Sequence, residues 1–203
     1  QCAAAWVNPE ITDIYYGGAK GGAKSYTGAN LIFHDAHVYA GTHYFIARKK
    51  LNDLRKFTLP TIYEVHQNWG IKATDYFKFN GQDNLFEFKN GSRVFLLEGA
   101  YQPSDPLYSR FGSMQMTRGW VEEAGDFAKE AKSNLAASIG RWKNDEYNLK
   151  RKLLQTGNPA KNYTYSDYYK PYKNGTLQPH QVFIQAFPQD NKMLPDGYIT
   201  QLE

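Results

Sequence analysis

Short apolar runs alternate with longer amphipathic stretches along the first third of this sequence. Ile11–Tyr16 and Thr42–Ala47 are apolar and rich in aromatic or β-branched residues, which is typical of buried strands. Between them, apolar residues recur at helical spacing and predict a helix over about Lys24–His34. A longer amphipathic helix is predicted over about Leu51–Trp69, with an interruption near Pro60 because proline has no backbone N–H to donate.

The remaining pattern adds a hairpin and further strands. Tyr76–Phe79 and Leu85–Phe88 alternate around a turn rich in Asn, Gly and Asp, which predicts a hairpin. A polar, tyrosine-rich loop is expected up to about His180. Further elements are predicted as strands at Arg93–Leu97, Met116–Val121 (weakened by Arg118-Gly119), Lys152–Gln155 and Gln181–Phe187, and as helices at about Phe127–Trp142 and Pro195–Glu203. Strands that alternate with helices predict an α/β domain with a mostly parallel sheet flanked by helices.

A glycine-rich stretch directly follows the first predicted strand and precedes the first long helix. Residues 17–25 read Gly-Gly-Ala-Lys-Gly-Gly-Ala-Lys-Ser. In such a loop, glycines let successive N–H groups turn inward, a lysine reaches the β- and γ-phosphates, and a serine hydroxyl ligates Mg²⁺. The N-terminus of the following helix adds the positive end of its dipole. The stretch therefore predicts a phosphate cradle.

This loop departs from the usual pattern G-x-x-x-x-G-K-[ST]. Gly18, Lys24 and Ser25 fit, but Ala23 occupies the position of the second glycine. The Cβ of alanine destabilises the loop if the backbone there needs a positive φ. The alternative interpretation is a flexible Gly/Ala turn before a helix.

Composition narrows the class of protein. The 203 residues include 22% charged and 41% hydrophobic residues, which is typical of soluble globular proteins. The net charge of +4 permits an acidic partner. A single cysteine, Cys2, excludes an internal disulfide framework and a cysteine-based zinc site. No apolar run is long enough to span a membrane, and the start lacks the features of a signal peptide. Because the first residue is Gln1 rather than Met, we expect the natural chain to start earlier.

Two acidic residues follow the apolar pair Trp120-Val121. In phosphoryl-transfer ATPases an acid at the end of a buried strand holds Mg²⁺, and a second acid can deprotonate the attacking water. Glu122 suits the metal role and Glu123 the role of base. The alternative is a helix N-terminus, where acids interact favourably with the dipole.

Polar residues also follow the strand predicted at Lys152–Gln155. A polar residue in the segment Thr156-Gly157-Asn158 can sense the γ-phosphate and pass its loss to the rest of the molecule. The alternative is a plain turn. The phosphate loop, the acid pair and this segment occur in the order that a P-loop ATPase requires.

These segments resemble the ATPase domain of the large terminase subunit, the DNA-packaging motor of tailed bacteriophages. The resemblance rests on residues 16–25, 120–124 and 156–159, and on Asp190-Asn191, Leu194-Pro195, Tyr198 and Leu202, which are similar to the segment that closes this domain. It implies a P-loop NTPase of the ASCE type, with residues 1–203 as a single ATPase domain. Family members usually carry a nuclease domain after the ATPase. Because this sequence ends before it, we expect no nuclease activity from these residues.

The resemblance also implies roles for individual residues. ATP would be bound by Gly18, Ala19, Lys20, Gly21, Gly22, Ala23, Lys24 and Ser25, with Mg²⁺ held by Ser25 and Glu122 and coupling through Thr156, Gly157 and Asn158. Lys20 matches a basic residue thought to touch the γ-phosphate. Arg110 matches an arginine that reaches into the neighbouring subunit, with Arg118 as a competing choice, and such a finger stabilises transition-state charge. Arg48 resembles a position near the nucleotide.

Partners follow from the same resemblance. It implies ATP and Mg²⁺, double-stranded DNA bound through its backbone irrespective of sequence, a homo-oligomeric ring on a portal protein, a small terminase subunit, and a location in the host cytoplasm without a membrane. Basic clusters at residues 48–56, 141–143 and 150–152 are candidates for DNA phosphate contacts, or are solvated lysines and arginines. Two alternatives stay open: another P-loop ATPase such as a helicase-like remodeller, and a nucleotide-binding assembly module that does not hydrolyse ATP.

Overall fold

The computed structural model describes residues 1–19, 21–158, 160–191 and 194, so Lys20 and the helix predicted over 195–203 lie outside the described residues. The described strands are β1 (Asp13–Gly18), β2 (His43–Arg48), β3 (Phe77–Asn80), β4 (Leu85–Phe88), β5 (Arg93–Glu98), β6 (Arg118–Glu122), β7 (Leu153–Gly157) and β8 (Gln181–Ala186). The described α-helices are α1 (Cys2–Val7), α2 (Lys24–Val38), α3 (Leu51–Asp53), α4 (Leu59–Asn68), α5 (Lys129–Ser138) and α6 (Lys170–Asn174).

All of these strands belong to one sheet in the order β3-β4-β5-β2-β6-β7-β1-β8. β5, β2, β6, β7, β1 and β8 are parallel, and the hairpin β3–β4 adds an antiparallel edge beside β5. The mostly parallel α/β sheet predicted from the sequence is therefore confirmed. Because the parallel strands share one direction, their carboxyl ends meet at one edge of the sheet.

Consecutive strand residues point to opposite faces and build two cores. Ile14 and Trp120 pack with α1, α2 and α4, whereas their neighbours Tyr15 and Val121 pack with α5 and the segment around Tyr168. The sheet is thus covered by helices on both faces. No helix in the described part of the chain is long and apolar enough to cross a membrane.

The helical region after β2 differs from the prediction in one respect. Between α3 and α4 the chain forms a π-helical turn, Leu54–Thr58, and Pro60 lies in the first turn of α4. Proline is tolerated there because its missing N–H is not needed in a first turn. The interruption is therefore a widened turn before Pro60, and the helical path continues through it.

Three other predictions are corrected. The tyrosine-rich segment contains a π-helical turn, Tyr165–Tyr169, followed by α6, and is not simply a loop. The helix predicted over Phe127–Trp142 is shorter, because α5 ends at Ser138. Arg118 and Gly119 do not weaken β6: they begin it, and a Cβ at Gly119 would lie 2.2 Å from the ring of Phe45.

Candidate ATP-binding site

The glycine-rich loop joins β1 to α2 at the carboxyl edge of the sheet. Gly18 has a φ of 136°, and a Cβ there would lie 2.4 Å from the carbonyl oxygen of Ala186. A Cβ at Gly22 would lie 2.7 Å from the Cβ of Ala186. The loop therefore needs glycine at both positions to pack against the end of β8.

Ala23 adopts the left-handed conformation, with φ 50° and ψ 27°, immediately before α2. This is the region that glycine occupies at little cost and alanine does not. The departure from the usual motif noted in the sequence therefore falls on a backbone that favours glycine.

Side chains around the loop hold its shape. The Tyr16 hydroxyl donates to the Gly22 carbonyl oxygen at 2.8 Å, and Asn191 Nδ2 donates to that of Gly21 at 2.7 Å. Lys24 Nζ donates to the carbonyl oxygens of Gly18 at 3.2 Å and Ala19 at 2.6 Å. The ammonium group therefore lies against the backbone of the loop, bound to two of its carbonyl oxygens.

A cavity of about 510 Å³ opens beside this loop. It is lined by residues 21–26 of the loop and α2, by Thr61 and Glu64 of α4, and by Glu123, Asn158 and Asn191. Its volume lies within the range of sites that bind small molecules and cofactors. The structure thus brings Glu123 to one cavity with Lys24 and Ser25, from which it is far apart in sequence.

The two acids differ in their surroundings. Glu122 ends β6 and is 2% exposed. The Thr58 hydroxyl donates to its Oε2, and Arg48 Nη1 lies 3.4 Å from the same atom. Glu123 follows in the left-handed conformation, with φ 51°. Consecutive acids therefore leave the strand in different directions, and only Glu123 lines the cavity.

Charges and burial act on the ionisation of the cavity residues. Burial raises the pKa of Glu123, and the charge of Glu122 adds to this, whereas Arg48 and Lys24 oppose it. Burial lowers the pKa of Lys24, and the charge of Glu123 opposes that shift. A raised pKa makes the Glu123 carboxylate a better proton acceptor than an exposed glutamate.

The three residues predicted to couple the site occupy different places. Thr156 and Gly157 lie inside β7 rather than after it, and the Thr156 hydroxyl accepts a hydrogen bond from Trp120 Nε1 at 2.8 Å. Gly157 contacts the turn after β6, since a Cβ there would lie 3.1 Å from Glu123 Cα. Asn158 lines the cavity. The structure therefore places Asn158 at the cavity, with Gly157 against the backbone of Glu123.

The arginines suggested as fingers lie outside the cavity. Arg110 Nη1 forms an ion pair with Asp105 at 2.7 Å, and its Nη2 donates to the Ala100 carbonyl oxygen at 2.7 Å. Arg118 is 5% exposed at the amino end of β6 and pairs with Asp35 at 2.7 Å. Arg118 is thus part of the interior at the opposite edge of the sheet, which disfavours it as a finger.

The basic clusters do not form one surface. Lys49, Lys50 and Lys56 are exposed near the carboxyl end of β2. The cluster at 150–152 lies at the amino end of β7, at the other edge of the sheet, and its Lys152 is buried with Nζ donating to the Ala5 carbonyl oxygen at 3.4 Å. The cluster at 141–143 also lies at that other edge, since Trp142 stacks on His43 at the start of β2. The first cluster therefore differs from the other two in sharing the edge of the cavity.

The profile of the phage terminase large subunit family matches residues 10–203 of this sequence. This match covers nearly the whole chain. The chain belongs to the phage terminase large subunit family. The resemblance seen in the sequence is therefore confirmed. Among curated proteins, none matches the sequence significantly.

Solved large terminases share the fold. The large terminase of a thermophilic bacteriophage in complex with ADP superposes with a TM-score of 0.74 at 14% identity, over 98% of this chain and 47% of that one. The HK97 bacteriophage large terminase gives 0.61 at 11% identity, over 90% and 37%. The ATPase domain of the Thermus phage P74-26 large terminase gives 0.57 at 7%, over 92% and 80%. The chain spans about half the length of the first of these terminases, and the shared P-loop NTPase fold confirms the predicted fold class.

The residues that would hold Mg²⁺ together with a nucleotide are a hydroxyl and carboxylates at this edge of the sheet. Magnesium in such sites takes one or two carboxylates, substrate phosphates and water. Ser25 at the start of α2 and Glu123 line the cavity, and Glu122 ends β6 directly before Glu123 without lining it. In the part of the chain that the structure describes, no group of three or more His, Cys, Asp or Glu residues is arranged as a metal site by itself.

Sequence reasoning missed the contribution of α4 and of the turn before it. Thr61 and Glu64 of α4 line the cavity, and Thr58 of the preceding turn binds Glu122. Polar residues on one face of an amphipathic helix look like a solvated surface, so nothing in the local pattern marks them. Only the packing of α4 against α2 brings them to the phosphate loop.

Proposed function

We propose that this chain binds ATP at the phosphate loop and hydrolyses it. The observation that supports this most strongly is the convergence of Lys24, Ser25 and Glu123 on one cavity at the carboxyl ends of parallel strands. One relative of the same fold, the large terminase of a thermophilic bacteriophage at 14% identity, was solved both with ADP and with ATP-gamma-S. A nucleotide site in this chain is consistent with both.

In this proposal each residue has one role. Lys24 places a positive charge at the β- and γ-phosphates, and the N–H groups at the start of α2 face the same anion. Glu123 accepts the proton of the attacking water, since it lines the cavity and burial raises its pKa. Mg²⁺ held by Ser25 and Glu122 would neutralise charge that develops on the phosphates.

We further propose that hydrolysis drives the translocation of viral double-stranded DNA into a procapsid. This rests on membership of the large terminase family. A motor of this kind would work as a homo-oligomeric ring on a portal protein, together with a small terminase subunit, in the host cytoplasm. Lys49, Lys50 and Lys56 are the proposed contacts to the DNA backbone, since they are exposed at the cavity edge.

Residues 1–203 are proposed to act as a single ATPase domain, with Lys20, Lys24 and Arg110 as its catalytic cations. The roles of Thr156, Gly157 and Asn158 in coupling belong to the same proposal. The close approach of Gly157 to the Glu123 backbone supports this proposal, because a movement of Glu123 would also displace the end of β7.

The decisive measurement is ATP hydrolysis by the chain as a function of DNA and protein concentration, with Lys24→Ala as the control. We expect hydrolysis that rises with double-stranded DNA and is abolished in the variant, which should also bind nucleotide much more weakly. Equal turnover in both proteins would overturn the proposal. DNA-stimulated hydrolysis with strand separation would instead favour a helicase-like remodeller.

One observation favours a second candidate function. Ala23 is a strained, left-handed residue in the phosphate loop. A module that binds nucleotide without hydrolysing it would tolerate such strain. A single-turnover experiment separates the two candidates. Bound ATP that stays intact over many hours would support the binding module.

A further inference from the structure

Thr58 is a buried polar residue that the sequence pattern does not single out. Its side chain is fully buried, and its hydroxyl donates a hydrogen bond to Oε2 of Glu122, which is 64 positions later in the sequence. Both partners lie in the interior, at 0% and 2% exposure. A buried carboxylate needs such donors, because removal from water otherwise costs free energy.

A second donor lies at the same oxygen. Arg48 Nη1 is 3.4 Å from Oε2 of Glu122, and the Arg48 side chain is 17% exposed. In the register of β2 and β6, Ala47 pairs with Val121, so Arg48 and Glu122 follow at the same level. Two donors from different elements on one oxygen fix the orientation of the carboxylate.

The backbone around Thr58 explains how it reaches the strand. The turn Leu54–Thr58 is π-helical, a winding that is rare and often occurs at functional sites. Its Phe57 is 50% exposed while the adjacent Thr58 is fully buried. The widened turn therefore directs Thr58 to the carboxyl end of β6 and leaves Phe57 over the guanidinium of Arg48, 5.4 Å from the ring centroid.

We propose that Thr58 is a positioning residue that holds the Glu122 carboxylate in the orientation needed for Mg²⁺ and nucleotide. This inference rests on the proposed function, since it assigns Glu122 to the metal. It also gives the π-helical turn a role. Among the described hydrogen bonds of residues 51–68, the one that reaches Glu122 comes from Thr58 in this turn. Through Thr58, the proposed metal ligand Glu122 is linked to α4, the helix that contributes Thr61 and Glu64 to the cavity.

The test compares Thr58→Val with Thr58→Ser. Valine has nearly the same shape as threonine but lacks the hydroxyl, whereas serine keeps it. We expect Thr58→Val to need about 10- to 100-fold more Mg²⁺ for half-maximal ATP hydrolysis, as is typical when a partner of a metal ligand is lost. Thr58→Ser should restore most of the wild-type Mg²⁺ dependence.

Thr42→Val is the matched control. Thr42 is also fully buried and its hydroxyl donates to the Tyr39 carbonyl oxygen, but it lies at the amino end of β2, away from the cavity. It should lower thermal stability without changing the Mg²⁺ dependence. A second measurement, Mg²⁺-dependent binding of ATP-gamma-S by calorimetry, does not require hydrolysis and should show the same shift in Thr58→Val.

A double-mutant cycle with Glu122→Gln completes the design. If Thr58 acts through Glu122, Thr58→Val should add little to the effect of Glu122→Gln. Additive effects, or a Thr58→Val protein with wild-type Mg²⁺ dependence in both measurements, would overturn the inference. Wild-type protein that binds nucleotide with Mg²⁺ but does not hydrolyse it would overturn the proposed hydrolysis alone, and the binding measurement would still decide the role of Thr58.

Discussion

At the scale of single residues, two left-handed positions flank the cavity. Ala23 and Glu123 have φ values of 50° and 51°. For a residue with a Cβ this conformation costs about 1–2 kcal/mol. The surrounding structure imposes it at both places, since Ala23 precedes α2 and Glu123 follows the last paired residue of β6. Because Glu123 has this left-handed backbone, its side chain points away from that of Glu122.

Replacing Ala23 by glycine should relieve this strain. We expect Ala23→Gly to raise the free energy of unfolding by about 1 kcal/mol, because glycine adopts a positive φ readily and loses part of that gain through its freer unfolded state. Nucleotide affinity should be equal or higher. Urea unfolding measures the effect. Ala36→Gly, in the interior of α2, is the control and should lower stability, so a loss in both variants would contradict the strain at Ala23.

The two acids should give different phenotypes when each is changed to the amide. Glu123→Gln should bind ATP as the wild type does and lose about 10²- to 10⁴-fold in turnover, because the amide cannot accept the proton of water. Glu122→Gln should instead bind nucleotide more weakly and respond less to Mg²⁺. Parallel binding and turnover measurements check both. Exchanged phenotypes would mean that the metal and base roles are reversed.

At the scale of elements, the close approach of α2 to β6 positions the phosphate loop relative to the acids. Gly28 of α2 lies against Trp120, and a Cβ there would be 2.4 Å from the indole ring. Trp120 is itself fixed by its hydrogen bond to Thr156 in β7. The first turn of α2 and the ends of β6 and β7 are therefore held together by one packed contact.

Gly28→Ala should separate these elements. We expect a loss of about 1–3 kcal/mol in the free energy of unfolding, since the added methyl group overpacks a filled interior. Nucleotide binding should weaken as well, because α2 carries Lys24 and Ser25. Gly81→Ala is the control for the loss of a glycine: its backbone does not have a positive φ, and a Cβ there would meet only the ring of Phe79, at 3.8 Å. A variant Gly28→Ala with wild-type stability and binding would show that α2 can shift freely.

The elements also show which parts of the structure could be predicted from the sequence. The strand, glycine loop and helix at the phosphate cradle follow from local pattern, because glycine spacing and apolar runs act over a few residues. The segment before His180 was assigned to a loop for its polar tyrosines. Its Tyr168 is fully buried and donates to Asp13 at 2.6 Å, a contact made 155 positions apart. Tertiary burial of this kind orders a segment whose local composition resembles a loop.

The same limit applies to the candidate site. Glu122 and Glu123 were found because they are adjacent to an apolar strand, and Lys24 because it ends a motif. Thr58, which binds Glu122, lies in a helical segment without a motif and is brought to the site by a π-helical turn. Local pattern also placed Thr156 and Gly157 after their strand, since the polar threonine looked like its end. Trp120 supplies the hydrogen bond that lets Thr156 stay inside the sheet.

At the scale of the whole molecule, Arg110 is held within its own chain. Asp105 accepts hydrogen bonds from Ser109 and Arg110, which lower its pKa to about 2, so its carboxylate stays ionised in the ion pair with Arg110 even at acidic pH. The guanidinium also lies over the rings of Tyr108 and Phe111. The neighbouring Tyr101 and Leu107 are 62% and 72% exposed. The arginine is thus fixed in a loop with exposed apolar side chains, away from the cavity of its own subunit.

This placement leads to a prediction about assembly. The cavity of one subunit contains Lys24 and Glu123, but Arg110 is not among the residues that line it. If a neighbour supplies this arginine, the isolated chain should hydrolyse ATP weakly, and its specific activity should rise with protein concentration. An arginine finger is worth about 10³–10⁵ in rate in other P-loop enzymes, so its absence from dilute protein should be measurable.

Mixing two inactive variants tests the donation directly. Lys24→Ala subunits keep Arg110 but cannot bind ATP productively, and Arg110→Ala subunits keep a complete phosphate loop but lack the finger. Each should be inactive alone, and the mixture should recover hydrolysis because an intact loop then faces an intact arginine. Lys24→Ala mixed with Glu123→Gln is the control: the Glu123→Gln subunit, which alone of the two retains Lys24, lacks the base, so no recovery is expected. Specific activity that stays flat with concentration, together with no recovery on mixing, would show that the finger acts within one subunit, with Lys20 then the preferred residue.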